Sequence, residues 1–406
     1  MFQQWWFQQW WQSIGNWFAP KIEPQALEEK LGELRQQAPI PVLWLFGKTQ
    51  SGKSSVVRFL TRAEKAEIGS GFRPCTRHSS LYDFPDAQAP LMQFLDTRGL
   101  DEPGYEASED LAAFDKRAHV LLVTVKLLDH AQENVLAALR KIRMARPQRP
   151  VVLLLTCLHE AYPQQQHPDA YLFDAQGQPT APVPEVLRQN LDTQRARFGP
   201  LVDRIVPIDL TQPIEGFHQP EYGGEQLKAT LLELLPTAQA QVLQAVDQSL
   251  ASIQDLYARK AMPTILAYST MAATAGAVPV PLVDTALLAG VQSAMLHQLA
   301  KLYGQPLTRE RLAELAAALG IGFVGRQVAR SLIKFIPVVG SAVGAVSGAV
   351  LAGASTYALG KAFCRYYRAV LDGKAPDPQE LKRYYQEQFA SAQASWERLG
   401  RSEKAT

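Results

Sequence analysis

The sequence predicts an α/β domain, built on a mostly parallel sheet between helices, followed by an all-α domain of apolar helical hairpins. Two observations predict this architecture. Short apolar runs of strand length alternate with helical patterns up to about residue 236, which is typical of a parallel sheet covered on both faces. From about Thr237 the pattern changes to long, Ala-rich segments of helical length.

The elements of the α/β part follow one another in regular order. The strand candidates are Val42–Phe46, Leu91–Leu95, Val120–Val125, Val151–Leu155 and Arg204–Ile208. The helical patterns are Ser54–Arg62, Asp110–Arg117, Glu133–Ala145, Pro184–Phe198 and Glu225–Leu235. Because parallel strands need long crossover connections, we expect helices to join most neighbouring strands.

Composition excludes several classes of protein. The net charge of +2 provides no global field that would attract nucleic acid, and the 47% of apolar residues excludes wholesale disorder. The 3 cysteines are far apart and lack metal-ligand spacing, which excludes a disulfide scaffold or a zinc knuckle and fits a reducing cytoplasm. No export signal pattern is present, so we expect a cytoplasmic protein or one on the cytoplasmic side of the inner membrane.

Shifts in charge and apolarity divide the chain into segments with different expected roles. These are an amphipathic Trp-rich helix at 1–20, a connecting helix at 21–38, the α/β domain at 39–236, a linker helix at 237–262, an apolar helical domain at 263–372 and a charged helical tail at 373–406. We expect the tail to be solvated because it is rich in charge.

A phosphate-binding motif follows the first predicted strand. Gly47–Ser54 fits G-x-x-x-x-G-K-[ST] and stands between a strand and a helix. Glycines let the backbone N–H groups face a polyphosphate, Lys53 reaches the β- and γ-phosphates, and Ser54 offers a hydroxyl to Mg²⁺. The residues predicted to contact nucleotide here are Gly47, Lys48, Thr49, Gln50, Ser51, Gly52, Lys53, Ser54 and Ser55.

Two further segments support a triphosphate site. Asp96–Gly99 reads D-x-x-G at the end of a predicted strand, where the carboxylate of Asp96 is placed to hold Mg²⁺ through water and the N–H of Gly99 is placed to approach the γ-phosphate. The polar loop around Thr76 lies between the two motifs. Thr76 is either a Mg²⁺ ligand when triphosphate is bound or an ordinary loop threonine.

Together, the phosphate loop, the Thr76–His78 loop and the D-x-x-G followed by an apolar Leu100 resemble the Era/TrmE group of regulatory GTPases over about residues 40–235. The resemblance implies a Ras-like P-loop G domain, a GTPase of low intrinsic turnover that takes GTP and Mg²⁺. Leu100 stands where Ras-like proteins carry a catalytic glutamine, so the attacking water must be oriented by other means. The implied catalytic residues are Lys53, Thr76 and Gly99, and the implied Mg²⁺ ligands are Ser54, Thr76 and Asp96.

The base-reading segment departs from that family. The family reads guanine with Asn/Thr-Lys-x-Asp, whereas this chain has Thr156-Cys157-Leu158-His159, without the lysine or the aspartate. Thr156 and His159 occupy the first and fourth positions and are our candidates for contact with the nucleotide. Glu160 follows one residue late. Guanine preference therefore comes from the resemblance, and a soluble P-loop ATPase stays open as an alternative.

The segments outside the G domain point to a membrane. The C-terminal part resembles a poorly characterised apolar helical domain that is fused to such G domains in bacterial membrane-associated proteins. The aromatic residues of 1–20 gather on one helical face, which suits either the membrane interface or docking on protein; stacking on nucleic acid lacks interleaved Lys or Arg. Phe335–Gly360 is uncharged and either spans a membrane or packs in a helical bundle.

The sequence therefore predicts a nucleotide-dependent switch coupled to a membrane-associated helical domain. The competing interpretations are a structural or pore-forming membrane protein with a regulatory G domain, and the soluble ATPase named above. The partners expected are a guanine nucleotide, a membrane lipid or membrane protein, and a second copy of the chain. No nucleic acid is expected, because a basic patch is missing.

Overall fold

The computed structural model describes residues 24–63, 73–74, 79–97, 117–251, 256–277, 283–305, 307–308, 315, 348–372 and 377–402. The predictions for the Trp-rich helix, for Thr76 and for Gly99 lie outside these residues. The same holds for most of the predicted helix Asp110–Arg117 and for the first half of Phe335–Gly360.

A mostly parallel sheet forms the centre of the α/β part and confirms the predicted fold class. Its strands are β1 (Val42–Phe46), β2 (Arg73–Pro74), β3 (Ser79–Phe84), β4 (Met92–Thr97), β5 (Val120–Lys126), β6 (Val151–Thr156) and β7 (Arg204–Pro207). Their order is β2-β3-β4-β1-β5-β6-β7. Every pair from β4 to β7 is parallel, while β2 and β3 are antiparallel to their neighbours.

Helices follow the strands largely where the hydrophobic periodicity places them. They are α1 (Pro24–Gln37), α2 (Lys53–Thr61), α3 (Glu133–Ala145), α4 (Glu185–Phe198), α5 (Gly224–Leu234), α6 (Thr237–Ala251), α7 (Leu256–Gly276), α8 (Val283–Leu302), α9 (Gly348–Leu371) and α10 (Pro378–Ser402). Short 3₁₀ turns cover Leu158–Ala161, Pro163–Gln165, Gly199–Leu201 and Pro213–Glu215. Strand β1 and helix α3 have the bounds that the sequence predicts.

The sheet core explains why these strands read as continuous apolar runs. All residues of β1 and β6 are buried, as expected for strands with helices on both faces. Trp44, in β1, is fully buried, and its indole Nε1 donates to Thr97 Oγ1 at 2.8 Å. The guanidinium of Arg149 lies over the same ring, 5.5 Å from its centroid. The end of β4 is therefore held firmly against β1.

The structure divides into two compact units, which are described separately. The sheet unit comprises Ile40–Phe84 and Met92–Gln248, and thus includes most of α6. Within it, Lys228 Nζ donates to Asp247 Oδ1 at 2.8 Å and so joins α5 to α6. The helical unit joins Pro85–Leu91 to the described residues before Ile40 and after Gln248.

The helical unit is held by close contact between apolar helices. Helix α7 packs on α9 where two glycines meet: a Cβ on Gly276 would lie 2.5 Å from the carbonyl oxygen of Gly348. Tyr303 stacks on Tyr367, with ring centroids 5.8 Å apart. Helix α1 contacts α7 and α8. Within the part of the chain that the structure describes, no helix is both long and apolar enough to cross a bilayer.

Candidate nucleotide-binding site

The phosphate loop connects β1 to α2 and depends on two glycines. Gly47 leaves no room for a side chain, because a Cβ there would overlap the carbonyl oxygen of Thr124. Gly52 has φ of 98°, in the left-handed region that favours glycine, and immediately precedes the first residue of α2. The loop therefore curls tightly at the N-terminus of α2, where backbone N–H groups favour an anion.

Side-chain hydroxyls hold this loop in shape from two neighbouring strands. Ser51 Oγ donates to the carbonyl oxygen of Lys48 at 2.8 Å and lies 2.6 Å from Thr124 Oγ1, at the centre of β5. Thr156 Oγ1, at the end of β6, donates to the carbonyl oxygen of Ser51 at 2.9 Å. Since Ser51, Thr124 and Thr156 are buried, these bonds are shielded from water. The loop is preorganised by the sheet.

Lys53 lies across the loop beside a carboxylate. Its ammonium donates to the carbonyl oxygens of Gly47 and Lys48, both at 2.7 Å, and lies 4.0 Å from Asp96 Oδ1. The Lys53 side chain is 10% exposed and that of Asp96 is 11% exposed. Asp96 comes from β4, which pairs directly with β1. The sheet thus brings together the lysine and the carboxylate that the two sequence motifs predict.

The residues around Lys53 suit a Mg²⁺–triphosphate. Ser54 is exposed in the first turn of α2, and Ser55 beside it is half-buried. Mg²⁺ keeps several waters and takes one or two protein oxygens together with phosphate oxygens. One hydroxyl and one carboxylate, Ser54 and Asp96, therefore fit Mg²⁺. In the described residues there is no group of three His, Cys, Asp or Glu side chains that would hold a metal without a phosphate.

Lys48 is turned away from the loop that it begins. Its Nζ donates to Asp129 Oδ2 at 2.9 Å, in the segment after β5. Burial works to raise the pKa of Asp129, but the hydrogen bond from Lys48 and the backbone bond from Ala131 lower it overall. Thr49 and Gln50 form the exposed tip of the loop. Lys53 is therefore the lysine that faces the phosphate position.

The segment predicted to contact the base lies directly after β6. Cys157, with φ of 57°, turns the chain into the 3₁₀ turn that carries His159. Asp209, from the loop after β7, accepts hydrogen bonds from both the backbone N–H and Nδ1 of His159, each at 2.7 Å. The hydrogen bond to Asp209 raises the pKa of His159, against the opposing effect of burial. Glu160 is turned toward Lys126, with Oε1 4.0 Å from Nζ.

Aromatic rings flank His159 on the side of the β7 loop. The Phe217 ring lies edge-on to His159, with centroids 5.1 Å apart, and stacks on His167 at 5.4 Å. His167 stacks in turn on Tyr222, at 4.4 Å. The turn that carries His159 therefore packs against aromatic residues that are distant in sequence. Burial raises the pKa of the neighbouring Cys157 thiol, which keeps it neutral.

The structure brings together most of the predicted site that it describes. The phosphate loop, Asp96 and Thr156 meet at the carboxyl ends of β1, β4 and β6. Sequence reasoning did not assign a role to Asp209 or to Asp129. The only signal for Asp209 was its place at the end of the last predicted strand, and its partner His159 is distant in sequence.

Comparisons with known proteins identify the families of two parts of the chain. A family described as "50S ribosome-binding GTPase" matches residues 42–157, and a "Domain of unknown function (DUF697)" matches residues 237–394. "Magnetosome membrane protein 22" of Magnetospirillum gryphiswaldense is 37% identical over 131 residues, which cover 31% of this chain and 67% of the relative. The chain belongs to the P-loop GTPase family with a C-terminal DUF697 domain. The chain also resembles a "bacterial selenocysteine-specific elongation factor EF-Sec" at 16% identity and a TM-score of 0.29, over 48% of this chain and 28% of that structure.

Proposed function

We propose that this protein is a Mg²⁺-dependent molecular switch that binds GTP, hydrolyses it slowly and signals its state to a membrane-associated helical domain. The observation that carries the proposal is the position of Lys53, inside a glycine-framed loop and 4.0 Å from Asp96. A cation and a carboxylate at this spacing, at the N-terminus of a helix, suit a Mg²⁺-bound triphosphate.

Different side chains of the site are proposed to contact the phosphates and the Mg²⁺. On nucleotide binding, Lys53 exchanges the carbonyl oxygens of Gly47 and Lys48 for phosphate oxygens, since its side chain already lies across the loop. The hydroxyl of Ser54 and the carboxylate of Asp96 would hold Mg²⁺, Asp96 through water. When bound, Mg²⁺ would neutralise charge on the β- and γ-phosphates. Thr76 and Gly99 are proposed to approach the γ-phosphate, as the sequence motifs indicate.

The switch follows from the contacts that only a triphosphate provides. In GTPases the γ-phosphate and Mg²⁺ order two loops, which are released after hydrolysis. The corresponding segments here contain Thr76 and Gly99. Strand β3 follows the first segment, and strand β4 precedes the second. We propose that hydrolysis changes these loops and that the helical domain responds.

Nucleotide binding by the full chain tests this proposal. A fluorescent GTP analogue is titrated onto the protein with and without Mg²⁺, and then displaced with GTP or ATP. We expect saturable binding that requires Mg²⁺ and is reversed by GTP. Failure of both nucleotides to displace the analogue would remove the proposed function, and displacement by ATP alone would favour the ATPase alternative.

We also propose membrane association, on the cytoplasmic side of the inner membrane. It is supported by the aromatic face predicted in residues 1–20, by the uncharged run Phe335–Gly360, and by the name of the magnetosome membrane relative. Flotation with liposomes of bacterial lipid composition tests it, at low and high salt. We expect the full chain to float at both, because apolar insertion resists salt; a chain that stays at the bottom of the gradient is not membrane-associated.

A further inference from the structure

We propose that the His159–Asp209 pair reads the purine base of the bound nucleotide, with Nε2 of His159 facing the N1 position of the base. This inference rests on the proposed nucleotide switch and deepens it. His159 occupies the fourth position of the segment where related GTPases carry the base-reading carboxylate, and the first position, Thr156, is bonded to the phosphate loop.

The pair is rigid enough to act as a reader. Asp209 is 4% exposed and accepts two hydrogen bonds from His159. Its own backbone N–H donates to the carbonyl oxygen of Tyr222 at 2.8 Å. Arg58, from the helix that follows the phosphate loop, donates to the carbonyl oxygen of Leu210 at 2.7 Å. The loop that carries Asp209 is thereby tied to the phosphate-binding helix.

Asp209 fixes which ring nitrogen of His159 faces outward. Because Asp209 accepts from Nδ1, the neutral ring carries its proton on Nδ1 and leaves Nε2 as an acceptor. Within the described residues the ring of His159 bonds to Asp209 through Nδ1, and the side chain is 22% exposed. Nε2 is therefore the ring nitrogen that is left for a ligand.

The protonation state of His159 decides what Nε2 recognises. Guanine has a proton on N1 and adenine has a lone pair there. Neutral His159 accepts from guanine N1–H, and protonated His159 donates to adenine N1. A family carboxylate accepts from both N1 and the 2-amino group of guanine, whereas a single nitrogen reaches one of them. Loss of the 2-amino group should therefore matter little here.

The charges around His159 favour its protonated form. Asp209 contacts the ring, while Glu160 on the same turn and Glu215 on the turn after β7 add further negative charge. Phe217 covers the ring on the side of His167, and the Cys157 thiol is neutral. The hydrogen bond to Asp209 raises the pKa of His159 above the ordinary histidine value, against burial, and the charges of Asp209, Glu160 and Glu215 act in the same direction. Base preference should then depend on pH.

Competition between nucleotides tests the inference. The full chain binds a fluorescent GTP analogue at about pH 6 and about pH 8, and GTP, ATP and inosine triphosphate compete for the site. We expect the ratio of GTP to ATP affinity to rise about tenfold toward the higher pH, as one hydrogen bond is worth roughly that factor. Inosine triphosphate should bind within about threefold of GTP. The γ-phosphate titrates alike in GTP and ATP, so it cancels in the ratio.

Three variants assign the effect to the pair. His159→Gln keeps a donor and an acceptor but does not titrate, so its affinity ratio should not change with pH. Asp209→Asn should move the transition to lower pH, because the negative partner is gone. His218→Gln, which alters an exposed histidine nearby, should keep the wild-type profile. Thermal unfolding verifies that each variant is folded.

The outcomes separate the two proposals. If the analogue binds tightly but the affinity ratio is the same at both pH values, or if His159→Gln keeps the pH dependence, the base-reading inference is overturned and the nucleotide switch stands. If inosine triphosphate binds far more weakly than GTP, a second group reads the 2-amino position and the inference also fails. If no nucleotide displaces the analogue at either pH, both proposals fall.

Discussion

Thr156 donates a hydrogen bond from Oγ1 to the backbone carbonyl of Ser51, 2.9 Å away, and so anchors the end of β6 on the phosphate loop. The same residue begins the segment that carries His159. One buried hydroxyl therefore positions the phosphate loop and the segment proposed to read the base relative to each other, and small changes here are expected to affect both.

Replacement of Lys53 tests the phosphate site. Lys53→Ala removes the cation that lies across the loop, and with it about two charge-assisted hydrogen bonds to phosphate, so we expect at least about a hundredfold loss of triphosphate affinity. Lys48→Ala is the matched control, since Lys48 is bonded to Asp129, and it should bind within about threefold of wild type. Equal affinities of both variants in an equilibrium titration would argue against this assignment.

The conformation of the phosphate loop is tested at Gly52. Gly52→Ala places a Cβ at φ of 98° and 3.2 Å from Thr156 Cγ2, so it should cost about 1–2 kcal/mol of stability and also weaken nucleotide binding. Gly304→Ala has a comparable backbone strain, at φ of 63°, with open space around the added methyl group. It should lose stability without losing affinity. Calorimetry of unfolding and nucleotide titration separate the two effects.

Turnover without a partner should be slow. Leu100 carries no polar group to orient the attacking water, so we expect a rate of ~10⁻⁴ to 10⁻² s⁻¹, as in GTPases without an added arginine. Arg77 and Arg98 are the nearby arginines in the sequence, and Arg98→Ala or Arg77→Ala would lower the rate further if either stabilises the transition state. Single-turnover hydrolysis measures the rate constant of the wild type and of each variant. A rate constant of several per second for the purified wild-type chain would contradict the prediction of slow turnover.

Stability should depend on pH through His159. Its pKa is raised above the unfolded value, chiefly by the hydrogen bond to Asp209. The resulting stabilisation is complete below the ordinary histidine pKa of about 6.5 and is lost as the pH rises through the raised pKa. The free energy of unfolding of wild type should therefore exceed that of His159→Gln most at about pH 6. Urea unfolding at several pH values measures the difference, which should shrink, not grow, toward higher pH.

Close packing of α7 on α9 is tested at Gly276. Gly276→Val forces a side chain against the backbone of Gly348, and overpacking of this kind costs about 1–3 kcal/mol. Ala277→Val places the same side chain at the next, exposed residue and should change stability by less than about 0.5 kcal/mol. Thermal unfolding compares the two variants, and equal melting temperatures would contradict close packing at Gly276.

The parts of the fold that sequence could predict are those encoded locally. The phosphate loop is set by its glycines and by the strand and helix beside it, and α3 by its apolar periodicity. Strand β3 was missed because it begins with two serines and contains Asp83, which accepts from Gln93 on β4 at 2.6 Å. Such a polar strand is stabilised by pairing with its neighbour. This pairing cannot be predicted from the residue pattern of the strand alone.

The candidate site shows the same limit. Lys53 and Asp96 were predicted because each belongs to a motif with a fixed spacing from a strand. Asp209 was not, because its role depends on contact with His159, which the sheet brings about across two strands. A carboxylate that acts on a residue of a different loop has no characteristic spacing, so only the folded chain reveals it.

The loop Pro85–Leu91, between β3 and β4, belongs to the helical unit, where the backbone oxygen of Gln88 accepts from Arg35 and its side chain accepts from Gln298 at 2.8 Å. A fragment of residues 40–236 would keep this loop but would lose Arg35 and Gln298, the hydrogen-bond partners of Gln88. A G domain trimmed to its motifs would therefore carry a loop whose contacts lie in the removed segments, and nucleotide titrations belong on the full chain.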